Sequence, residues 1–143
     1  MGKGIEFTIY GKPIAKKRPR FFRRGDFVGT YNPQETEEGL WMLEAKQQIP
    51  EKLEGALSLK AGFFFPPLKS WSKKMKTDVE NGSNPLHIKK PDLDNLLKFV
   101  KDCLNGLAWN DDSQVCKIEA IKCYARLTRT DIIIKEYKID DFK

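Results

Sequence analysis

An α+β fold is predicted by three observations. Apolar residues recur at period two near both ends and in the middle of the chain. One long stripe of helical period runs from Leu93 to Leu107, and 143 residues suit one domain. The expectation is a single domain over residues 1–143, a small mixed sheet packed against two main helices.

Ile5, Phe7 and Ile9 alternate with polar residues, so residues 4–10 read as a half-buried strand. Leu57, Leu59, Ala61, Phe63 and Phe65 repeat the pattern over 56–65, until Pro66-Pro67 stops it. Residues 115–126 and 131–137 read as two further strands, the second with Ile132 and Ile134 on one face. The short loop near Thr128 predicts that these two pair as a hairpin. Within the first, inward parity slips between Ala120 and Ile121, which predicts a bulge there.

The first helix is expected to start at Asn32 as N-cap, with Pro33 in the first helical position. Glu35, Glu37 and Glu38 suit the positive end of its dipole, and Pro50 ends it by Ile49. In the second helix Leu93, Leu96, Leu97, Val100, Leu104 and Leu107 form one apolar stripe. Asp92 is placed to cap that helix and Gly106 to end it. Between the helices, Lys69, Lys73, Lys74 and Lys76 surround Trp71 and Met75 in a short basic helix within 68–80. Asn81-Gly82 then opens a polar loop through Lys90. Residues 12–24 are basic and interleaved with Phe21 and Phe22, and Pro13, Pro19 and Gly25 predict irregular extended backbone.

Net charge is +6 and the pI about 9.2, an excess that suits an anionic partner such as nucleic acid. No apolar run approaches the ~20 residues of a membrane-spanning helix, and the alternating start reads as no signal peptide. Gly2 follows Met1, but Glu6 stands where a myristoylation motif wants Ser or Thr. Cys103, Cys116 and Cys123 are odd in number, and read as buried free thiols of a reducing, cytoplasmic compartment. With no CxxC pair and His87 the one histidine, zinc is not expected.

Four carboxylates stand in two tight pairs, Asp92 with Asp94 and Asp111 with Asp112. Oxygen donors of this kind suit Mg²⁺, which takes one or two carboxylates and completes its shell with water and substrate phosphate. Lys98, four residues after Asp94, shares its helical face and is a candidate to offset charge on a phosphate. A structural reading stands beside this one: Asp92 as a cap, Asp111-Asp112 as a turn, Asp94–Lys98 as a surface ion pair. An acidic cluster in a basic protein favours catalysis, because carboxylates repel phosphates unless a cation stands between them. The helix separating the pairs is ~20 Å long, so their meeting depends on topology that periodicity does not supply. Lys16, Lys17, Arg18 and Arg20 are the leading phosphate-binding candidates, followed by Lys73, Lys74 and Lys76. A solvated charged face is the competing reading of both runs. Phe21 and Phe22 are candidates to wedge or stack at a branch point, or to pack in the core.

Lys90-Pro-Asp-Leu-Asp-Asn-Leu-Leu-Lys98, then Asp102, Leu104-Asn-Gly106 and Asp111-Asp-Ser-Gln114, resembles the signature of the RusA family of Holliday-junction resolvases. Gly11-Lys-Pro-Ile-Ala-Lys-Lys-Arg-Pro-Arg20 and Ser70-Trp-Ser-Lys-Lys74 are similar to the same family, which is common in phages and prophages. The resemblance implies a RusA-like homodimer that binds four-way DNA junctions and resolves them by paired nicks in recombination and repair. It implies Mg²⁺, with Mn²⁺ able to substitute. It carries the catalytic aspartates onto Asp92, Asp94 and Asp112 and the catalytic lysine onto Lys98, with Asp111 as an adjoining metal-site candidate. Two alternatives remain at this point: a metal-dependent nuclease for flaps or forks, and a structure-selective DNA-binding protein without catalysis.

Overall fold

Leu57–Phe65 is the most apolar strand of the chain, and it takes the centre of the sheet. The computed structural model describes residues 3–143, so Gly2 lies outside the described residues. In chain order the elements are β1 (Gly4–Tyr10), β2 (Arg20–Arg24), β3 (Phe27–Tyr31), α1 (Glu35–Gln48), β4 (Leu57–Phe65) and α2 (Lys73–Glu80). They continue with α3 (Leu93–Leu104), a 3-10 turn at Asp112–Gln114, β5 (Val115–Tyr124), β6 (Arg129–Glu136) and a 3-10 turn at Ile139–Asp141. The main sheet has the order β1-β6-β4-β5. β6 runs antiparallel to β1 and β4, and β5 runs parallel to β4, so the sheet is mixed and the fold α+β.

One face of the sheet carries the core. Ile5, Phe7 and Ile9, the five alternating residues of β4, and Ile132 and Ile134 all point into it. From the helices, Trp41 of α1 stands edge-on to Phe7 and to Phe99 of α3, each at 6.0 Å. The α3 stripe is rotated from its expected position. Phe99 and Cys103 are buried with Leu96, Val100 and Leu104, whereas Leu93, Leu97 and Leu107 are only partly buried. The rotation puts Leu97 beside the charged face of α3.

The expected β5–β6 hairpin does not form, because β4 lies between them. Residues 125–128 can span roughly 13 Å when extended, enough to step over one strand at about 4.8 Å per neighbour. Ala125 N–H donates to the Phe65 carbonyl at 2.9 Å as the connection crosses the end of β4. The bulge also lies elsewhere: Leu57 pairs with Val115 and Ser58 with Lys117, which leaves Cys116 as the extra residue. Register through Ala120 and Ile121 is unbroken. Ile121 simply points to the uncovered face of the sheet, where it is 48% exposed. Cys116 is exposed at its bulge, unlike the buried Cys103 and Cys123.

At α1 the cap is Gln34 rather than Asn32. Asn32 Oδ1 accepts the Gln34 N–H at 2.9 Å, a local turn that delays helix entry. Gln34 is fully buried; its side chain accepts from Lys17 N–H at 2.6 Å and donates to the Ala15 carbonyl at 2.7 Å. The basic segment is therefore strapped to α1, and Lys16 N–H reaches the Asn95 carbonyl of α3 at 2.9 Å.

Residues 20–31, expected to be irregular, form a two-stranded ribbon turning at Gly25-Asp26. Gly25 has φ +57°, as the first central position of a tight type II′ hairpin turn requires. The Phe22 ring closes over Gly29 and against Phe27 and Tyr31. Phe21 remains 77% exposed, so it is not a core residue. The short basic helix appears as α2, capped by Ser72, whose hydroxyl accepts from Met75 N–H at 3.2 Å.

Candidate active site

The exposed face of α3 presents Asp94, Leu97, Lys98, Lys101 and Asp102, spaced by one and two helical turns. Together with Asp112 and Ile118 they line one open hollow of ≈ 410 Å³. Asp94, Lys98 and Asp112, all candidates from the sequence, therefore share one concavity. Asp92 and Asp111 do not line it.

Asp112 reaches the hollow because the chain folds back after α3. Gly106, at φ +82°, reverses the backbone, and its N–H meets the Trp109 carbonyl at 2.8 Å. Trp109 is fully buried, and its indole Nε1–H donates to Asp112 Oδ1 at 2.8 Å. That bond fixes the orientation of the carboxylate. Trp109→Phe keeps the buried ring and removes the donor. The variant loses a hydrogen bond to a carboxylate and leaves a small cavity, so it is expected to be less stable by about 1–3 kcal/mol, read by thermal unfolding.

Asp111 has a different use. Its Oδ2 accepts the Ser113 N–H at 3.0 Å, and the Gln114 side chain accepts the backbone N–H of Asn110 and Asp111. The Ser113 hydroxyl, then its N–H, holds the Asp111 carboxyl below the usual carboxylate range. Asp111 caps the turn that carries Asp112. Asp92 is the N-cap residue of α3 through its backbone, with its carbonyl accepting from Leu96 N–H at 3.2 Å. Its carboxylate makes no capping bond, contrary to the expectation for it.

Among the described residues Lys98 makes no ion pair, with Asp94 or with any other carboxylate. Lys16 is placed differently. Its ammonium meets Glu38 at 2.7 Å and Asp102 at 3.1 Å, and its side chain is 21% exposed. The Glu38 hydrogen bond raises its pKa against the opposing effect of burial, with Asp102 adding to the rise. Lys16 thus ties the basic segment to α1 and α3, and its charge is already matched. Lys17 is 59% exposed and only 3.9 Å from Glu37, while Arg18 and Arg20 are exposed. Lys73, Lys74 and Lys76 lie exposed on α2, with Lys76 Nζ donating to the Lys69 carbonyl at 2.9 Å.

Sequence reasoning missed Lys122. Its Nζ donates to the carbonyls of Lys89 and Pro91, each at 2.7 Å, and so pins the approach to Asp92 onto β5. Only the pairing of β4 with β5 brings it there. His87, expected to be a loop residue, is buried and stacked on Phe65 at 4.3 Å.

Among the described residues no three His, Cys, Asp or Glu side chains gather closely enough to form a metal cluster. The donors in the hollow are carboxylate oxygens; Cys103 is buried in the core, where its thiol is pushed up to about 12. Three carboxylates line the concavity; Asp102 is tied to Lys16, and among the described residues Asp94 and Asp112 are in no ion pair. A donor set of that kind fits a hard divalent cation that keeps most of its water.

Comparison with known proteins bears on the same residues. Residues 10–135 match the family described as Endodeoxyribonuclease RusA. The chain belongs to the RusA family. The match runs from the end of β1 through β6 and takes in every candidate site residue. A relative of similar length, "Uncharacterized protein YqaN" of Bacillus subtilis (strain 168), is 38% identical over 138 residues. That alignment covers 92% of this chain and 96% of the relative. The family is one of endodeoxyribonucleases that act on branched DNA. No helix among the described residues is long and apolar enough to cross a membrane.

Proposed function

We propose that the protein is a Mg²⁺-dependent endonuclease that binds four-way DNA junctions as a homodimer and resolves them by paired nicks. The observation that carries this reading is the hollow shared by Asp94, Lys98 and Asp112. Asp94 and Asp112 would hold the ion; Asp92, at the start of α3, lies outside the hollow's lining. The ion, when bound, lowers the pKa of a water and offsets charge on the scissile phosphate. Lys98, which among the described residues has no competing carboxylate within ion-pair distance, places an ammonium where charge builds on that phosphate. Trp109 holds Asp112 in place, and Lys122 holds the segment before Asp92.

Grip on the DNA falls to the exposed cations Lys17, Arg18 and Arg20, with Lys73, Lys74 and Lys76 of α2. Each neutralised phosphate contributes about 0.9 to the slope of log K against log salt on duplex DNA. Replacing Lys17 and Arg18 together with Ala is expected to flatten that slope by roughly two units. The loss should be equal for junctions of unrelated sequence, because phosphates carry no base information. An unchanged slope would make this segment a solvated face.

The substrate is tested by offering one protein preparation a four-way junction, a fork and a linear duplex in Mg²⁺. Preferential cleavage of the junction is expected. Equal or faster cleavage of the fork would reassign the enzyme to other branched DNA. The dimer is tested by sedimentation, with a species of twice the chain mass expected.

A further inference from the structure

A second concavity opens between the β4–α2 connection and residues 87–91. Its volume is ≈ 250 Å³. Lys12, Lys69, Lys89 and Lys90 line it, from three separate stretches of the chain. No carboxylate lines it, and among the described residues none of these lysines is in an ion pair. Like charges gathered without a counter-charge repel one another, and an anion in the hollow relieves that repulsion. The arrangement is held in place, because Lys122 fixes the Lys89 and Pro91 carbonyls.

The rest of the wall is mainly apolar: Pro66, Pro67, Leu68 and Pro91, with the largely buried rings of Phe65, His87 and Tyr124. Within that wall the His87 ring stacks on Phe65 and lies 4.8 Å from Tyr124, which meets Trp71 edge-on at 4.4 Å. Burial, then the Lys122 charge, pushes the His87 imidazole down, so the stack is uncharged near neutrality. A bare inorganic anion would leave this wall unused. A nucleotide uses both halves, its phosphate on the ammonium groups and its base on the apolar face. The base must be unpaired, because a base inside a duplex has both faces covered by its neighbours.

We propose that this pocket takes one unpaired DNA nucleotide of the strand that leads to the aspartate hollow. Pro91 of the pocket wall stands three residues before Asp94 of the hollow, so one short stretch of chain at the start of α3 contributes to both. The assignment rests on the nuclease reading above and adds the requirement that the strand be unpaired beside the cut. It explains why a branch point suits this surface better than an intact duplex.

His87 is the one histidine of the chain, so histidine-labelled protein gives a single imidazole signal set at the pocket wall. The parent protein is titrated with a short oligothymidylate in Mg²⁺-free buffer, and binding is followed in parallel by fluorescence anisotropy. The His87 signals are expected to shift saturably in step with binding. In Lys12→Gln/Lys69→Gln the same shift should need about tenfold more oligonucleotide. A duplex of equal length should bind while leaving the signals in place. The proposal is overturned by His87 signals that stay unmoved by oligothymidylate, by an equal shift with duplex, or by a double variant that titrates like the parent. Failure of the nuclease reading looks different: the parent would not cleave junctions in Mg²⁺, whatever His87 reports.

Discussion

Asp94→Asn is expected to bind four-way DNA as tightly as the parent and to cleave it slower by on the order of 10³-fold or more. Asparagine keeps the shape of the side chain and loses the charge that attracts a cation. Asp94 is exposed on α3 and makes no hydrogen bond or ion pair that the fold depends on among the described residues, so stability should be unaffected. Binding may be read by gel shift without Mg²⁺ and cleavage by product yield with it. Parent-like cleavage by Asp94→Asn would remove Asp94 from the chemistry and leave the hollow as an ordinary surface feature.

Lys98→Ala carries the second large effect. A preorganised charge aimed at a reacting phosphate contributes about 10²–10³ in rate. Lys98 qualifies because it lines the hollow with Asp94 and Asp112 and makes no ion pair among the described residues. The rate at saturating protein should fall by that factor while junction affinity changes little, since an interaction made mainly in the transition state is lost. A loss confined to affinity would make Lys98 a phosphate anchor.

The elements read from periodicity are those whose burial is decided locally. β1, β4 and α3 present one apolar face each, and the structure starts and ends them within about a residue or two of the expected positions. What periodicity could not supply is which strand lies beside which. β5 and β6 are close in sequence and still separated by β4, because the most apolar strand claims two neighbours. Lys122 gains its role from that choice. The ribbon at 20–31 was hidden by its own composition, since its arginines and aromatics follow no period-two alternation and it has no buried face. The candidate site was legible as residue types and spacing. Its division of labour was not: Asp111 caps and Trp109 holds Asp112 through the return of the chain after Gly106, while Lys16 pairs with Glu38 and Asp102 where the basic segment is strapped to α1 and α3.

The central claim is metal-dependent cleavage at a junction, and mapping nicks on one end-labelled four-way junction tests it most directly. With Mg²⁺, the account predicts paired nicks at symmetry-related positions on opposing strands, abolished by a chelator and absent with Asp94→Asn. Junction binding without strand cleavage in Mg²⁺, or cleavage that persists undiminished in the chelator, would contradict it.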